Sequence, residues 1–161
     1  MIKKMEGPFL MEHSYRFIVL GIIWTVVFTS MSFYWAMGGM LGVRSLGGAI
    51  YDMSLNLNPS FTLIVWLTGF IKLLGLILLL MLLVRWSKPI IARALYYVTK
   101  TIGIVLFLYG LLNFITIFLS WLNILHLDLG TFATFWRLAF WEPFWMIGGV
   151  FYFFSIKKHL P

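Results

Sequence analysis

Two side chains could do chemistry in a setting hostile to charge. Lys72 lies within FTLIVWLTGFIKLLGLILLLM, and Glu142 within FWRLAFWEPFWMIGGVF. An ionisable group at the centre of a bilayer costs about 3 kcal/mol or more unless protein shelters it, so each is by default a candidate for function. Lys72 falls about eleven residues from one end of its apolar run, roughly 16 Å deep at the helical rise. That depth is too great for its stem to carry the ammonium fully to either surface. Glu142 falls about six residues into its run, roughly 9 Å deep. The economical reading is a Lys72–Glu142 ion pair inside a helical bundle; the alternative is that one of the two is uncharged. A structural pair and a ligand, proton or substrate site both remain open.

Further polar residues recur at helical spacing. Thr25, Thr29 and Ser32 form one stripe, while Asn113, Thr116 and Ser120 form another, with Asn113 near the depth of Lys72. Hydroxyls and small residues on such faces usually serve helix packing. Pro143, directly after Glu142, removes a backbone donor and frees a carbonyl near Ala139, which predicts a kink or an irregular start. Arg44, Asp52, His126, Asp128, Arg137 and Glu142 are all expected toward one end of the bundle. One histidine with one aspartate two residues later does not make a metal set, and no metal or cofactor is assigned. No serine triad, phosphate-cradling glycine loop or paired-histidine helix is present.

These residues need elements to hold them, and the composition says which. Hydrophobic residues make up 62% of the 161 and charged residues 11%, against about half and a quarter in soluble domains. A chain this short could not bury so much apolar surface, so the excess faces lipid. Four runs reach the roughly 20 residues that cross a bilayer: 17–37, 61–84, 101–122 and 136–154. Backbone amides in lipid must be satisfied within each run, so these are helices. The expectation is a single all-α domain, a transmembrane four-helix bundle.

The net charge of +7 raises nucleic-acid binding, but the basic residues sit in short clusters between apolar runs, so no nucleic-acid partner is expected. That placement orients a membrane protein. One side carries Lys3, Lys4, Arg16, Arg85, Lys88, Arg93, Lys100, Lys157 and Lys158; the other carries Arg44 and Arg137. Both ends are therefore expected in the cytoplasm. Cysteine is absent, which excludes disulfides and thiolate chemistry. The segment 85–100 reads as a short basic turn able to touch anionic headgroups. The glycine-rich segment 38–60 reads as a flexible outer loop or, alternatively, a lid or re-entrant hairpin. The segment 123–135 alternates leucine with polar residues and is expected to lie along the interface.

Two motifs carry a resemblance. SFYWAMGGMLGV, from Ser32 to Val43, resembles the YWxxGGxxG signature that closes the first helix in an uncharacterised family of small bacterial four-helix membrane proteins. FWRLAFWEPFWMIGGV, from Phe135 to Val150, resembles that family's last helix. The resemblance implies that Tyr34, Trp35, Gly38, Gly39, Arg137, Trp141, Glu142 and Pro143 are the marked positions, and it carries no activity with it. The leading expectation is a non-enzymatic protein of a bacterial cytoplasmic membrane. Its candidate site joins Lys72, Asn113, Arg137, Glu142, Tyr34, Trp35 and Trp141 in an outward-facing pocket. Membrane lipids, a small amphipathic ligand or a partner membrane protein are the expected partners. The competing readings are an enzyme on a lipid-like substrate, with Glu142 as general acid or base, and a small proton-coupled transporter.

Overall fold

A computed structural model describes residues 11–56, 59–84 and 86–158. Helix α1 spans Tyr15–Ala36. It starts where the Ser14 carbonyl accepts the amides of Phe17 and Ile18. It ends in a Schellman turn: the Gly39 amide reaches the Tyr34 carbonyl, and the Gly38 amide the Trp35 carbonyl. Gly38 takes φ +90° there, a conformation that costs a residue with a Cβ about 1 kcal/mol or more.

The next segment is folded, contrary to the expected flexible loop. A 3₁₀ turn at Val43–Ser45 leads into α2, Gly48–Leu55. Val43 is 1% exposed, so this segment caps the helices. Helix α3 follows at Pro59–Met81. Helix α4 runs from Pro89 to Trp121, 33 residues, and so absorbs most of the expected basic turn. Proline suits a first helical position, and nothing in the following residues breaks the helix. At about 50 Å, α4 exceeds the roughly 30 Å hydrocarbon thickness by some 20 Å. A second Schellman turn closes it, with Asn123 at φ 59°.

After the exposed segment 122–130, helix α5 spans Thr131–Trp136. A π-helical turn spans Arg137–Trp141, and α6 spans Glu142–Phe154. The three follow one another without a gap, so the run starts five residues earlier than expected and is remade midway. Short strands β1, Met11–His13, and β2, Ile156–Lys158, pair antiparallel. Lys3, Lys4, Arg85 and His159 lie outside the described residues.

Helices α1, α3 and α4 are long and apolar enough to cross a membrane. Their outward faces carry large apolar side chains, such as Ile71 at 66% and Leu74 at 65% exposure. In water each would forgo about 2 kcal/mol of burial. The helices stand in the order α3, α1, α6, α4, and α4 returns only slight contact to α3. Close approach of α4 and α6 depends on glycine. A Cβ on Gly149 would lie 2.6 Å from the Gly103 carbonyl oxygen, and one on Gly110 2.7 Å from the Glu142 carbonyl oxygen.

Candidate functional site

The end of the molecule away from the β1–β2 pair is built around two tryptophans. Trp35 Nε1 donates to the Leu41 carbonyl at 2.8 Å. Trp141 Nε1 donates to Ser45 Oγ at 2.8 Å, and that hydroxyl donates to the Gly42 carbonyl at 2.5 Å. The two indoles lie 5.5 Å apart. Two separate sets of hydrogen bonds and the contact between the indoles thus tie helix α1, the glycine segment and the last helical run. Tyr34 is 39% exposed and lies flat under Gly39, where a Cβ would come within 2.3 Å of its ring. The YWxxGG residues build a helix end and its cap.

The π turn explains the charge at its side. Pro143 has no amide hydrogen to give, and the Glu142 amide bonds the Arg137 carbonyl five residues back. In an α-helix, residues five apart point about 140° from one another; the widened turn brings them together. Arg137 Nε and Nη2 both donate to Glu142 Oε1, at 2.8 and 2.6 Å. Glu142 is 2% exposed, and its Oε2 is buried without a partner among the described residues.

The expected Lys72–Glu142 pair is therefore not formed. Lys72 Nζ donates to Ser32 Oγ at 2.6 Å. It sits 3.8 Å above the Phe28 ring and 5.6 Å from the Trp145 ring. A hydroxyl and two aromatic faces replace the carboxylate, an arrangement worth about 2 kcal/mol where water is excluded. Depth alone lets Lys72 cover much of the gap, but the π turn places Arg137 on Glu142 instead. The hydroxyl stripe on α1 is buried as expected, with Thr25 at 1%, Thr29 at 6% and Ser32 at 1% exposure. The stripe on α4 is not. Asn113 Nδ2 bonds the Tyr109 carbonyl and Thr116 Oγ1 the Leu112 carbonyl, both on the helix's own outward side. Because α4 packs chiefly on α6 and hardly on α3, that face has no neighbour to meet. Lys100 also differs from expectation: it lies on α4, donates to the Phe153 carbonyl, and covers the Phe153 ring at 3.7 Å. A cation there satisfies the end of α6.

Two adjoining hollows open at this end. The first, about 400 Å³, is lined by Val27, Phe28 and Met31 of α1, by Gly42, Arg44 and Ser45, and by Phe132, Trp136, Phe140, Trp141 and Phe144. The second, about 460 Å³, is lined by Arg44, Tyr51, Asp52, Asp128, Thr131 and Phe132 among others. Arg44 and Phe132 belong to both, the guanidinium 5.1 Å over the ring. Among the described residues, His, Asp and Glu nowhere gather in threes able to hold a metal.

The profile of a family described as proteins of unknown function, DUF3995, matches residues 25–152. The chain belongs to the DUF3995 family. The match starts on the buried stripe of α1 and ends at Tyr152, so it takes in both tryptophan motifs and both hollows. Neither the curated proteins nor the solved structures yield a match. Within this DUF3995 chain, sequence reasoning overlooked Ser45, Phe28, Phe132 and Phe140. Ser45 is the lone hydroxyl in the glycine-rich stretch 36–49, which is a usable signal. The phenylalanines carried none, since 19% of the chain is aromatic.

Proposed function

We propose that this DUF3995 protein is a single-domain, four-span protein of a bacterial cytoplasmic membrane, with both ends in the cytoplasm. It binds the apolar part of a small amphipathic ligand rather than transforming it. The observation that carries this is the aromatic-lined hollow of about 400 Å³, opening beside a polar one. Four crossings are supported by the β1–β2 pairing: an odd number would set those segments on opposite faces of the bilayer. The run from Thr131 to Phe154 supplies the fourth crossing, roughly 36 Å long.

Catalysis by Glu142 has less support. Its carboxylate is 2% exposed and already clamped by Arg137, and it lines neither hollow. The same clamp weighs against a transporter's proton-carrying role. Native mass spectrometry of protein extracted with its surrounding lipid tests the binding reading. A retained amphiphile is expected, and it should be lost in Val27→Trp, which fills the hollow from an exposed position. Absence of any retained molecule, or equal retention by Val27→Trp, would overturn it.

A further inference from the structure

Acyl chains are as apolar as the aromatic hollow, so burying a tail there instead of in bulk lipid selects little. Selection must come from the polar end. We infer that the second hollow takes the headgroup of a phospholipid carrying both a phosphate and an amine, its phosphate toward Arg44 and its amine toward Asp52 and Asp128. This rests on the tail-binding reading above and extends it to the ligand's class.

Three observations support the assignment. The hollows adjoin, with Arg44 and Phe132 in the lining of both, so a tail in the first places its headgroup next to the second. The polar hollow is lined by charges of both signs, yet no ion pair joins Arg44 to either aspartate among the described residues. Opposite charges held apart in one cavity suit a zwitterion better than an anion, which the two carboxylates would repel. The guanidinium is also held in place: Arg44 lies over the Phe132 ring, which narrows the orientations of a planar fork suited to phosphate. Tyr51 and Thr131, both hydroxyl-bearing, line the same hollow.

The test uses delipidated full-length protein in detergent. Phosphoethanolamine, phosphoglycerol and uncharged diacylglycerol lipids with identical chains are offered in competition, and bound species are read by native mass spectrometry. The phosphoethanolamine lipid should be retained about fivefold over the phosphoglycerol lipid, the scale of an exposed ion pair. Asp52→Asn with Asp128→Asn should bring the two to parity, while Arg44→Gln should lower both toward the diacylglycerol level. All three positions sit on the exposed rim, so thermal unfolding serves as the fold control. Equal retention of all three lipids would overturn the headgroup assignment while leaving the tail hollow intact. Retention of none would overturn both readings. Water-soluble glycerophosphoethanolamine, offered without chains, should not bind; equally tight binding of it would replace the lipid by a soluble ligand.

Discussion

Glu142 meets its one cation through a single carboxylate oxygen, and the other oxygen is buried without a partner. Removing the cation should therefore cost more than removing both charges. Arg137→Gln alone is expected to lower stability by about 3 kcal/mol or more, whereas Arg137→Gln with Glu142→Gln should recover much of that loss. Thermal unfolding of the four proteins of this cycle reads the coupling; strictly additive losses would show that the pair does not matter. Lys72 should behave differently, since rings and a hydroxyl receive it. Lys72→Met gives up the cation–ring attraction but also spares the burial of a charge, so its stability should stay within about 1–2 kcal/mol of the parent. A larger loss in the same assay would mean that the ammonium has a partner more demanding than Ser32. That Lys72 and Glu142 are sheltered by protein was legible in the sequence, because charge inside an apolar run has few places to go. Their partners were not legible. Pairing depended on a π turn that moves Arg137 onto the face of Glu142, and no simple periodicity encodes that turn.

The elements show where small residues and proline set geometry. Gly103 and Gly149 let α4 and α6 touch backbone to backbone. Gly149→Leu should drive the helices apart and cost about 1–3 kcal/mol, while Ile104→Ala, at an exposed site on α4, should cost far less. Pro143→Ala restores an amide and should let the π turn relax toward an α-helix. That would rotate Arg137 and Trp141 away from Glu142 and Ser45. Hydrogen exchange across residues 43–55 should then speed up, since the Trp141 tie holds that cap. Unchanged protection would mean the π turn persists without proline. Helix positions could be read from hydropathy, which locates α1 and α3 closely. Helix lengths could not: hydropathy measures the lipid-crossing part, and α4 continues well beyond it because Pro89 starts a helix that nothing interrupts. The ordered cap after α1 was equally hidden. Glycine spacing announces a bend, but not that Trp35 and Trp141 will hold it.

At the scale of the whole molecule, absence of cysteine makes crossing number directly measurable. Single cysteines at Ser14 and Ser87 should react with a membrane-impermeant maleimide only after cells are opened, and those at Asp52 and Asp128 in intact cells. Labelling of Ser14 and Asp128 from the same side would contradict four crossings. The order of helices has a further consequence. Helices α1 and α3 form one hairpin and α4 and α6 another, each made of neighbours in the chain, and the two meet chiefly through α1 and α6. The α1–α3 hairpin can enter the bilayer and close as it leaves the ribosome, before α4 and α6 exist. Two genes, severed at the turn before Pro89, should therefore yield halves that find one another in the membrane and assemble the tryptophan-tied cap only upon meeting.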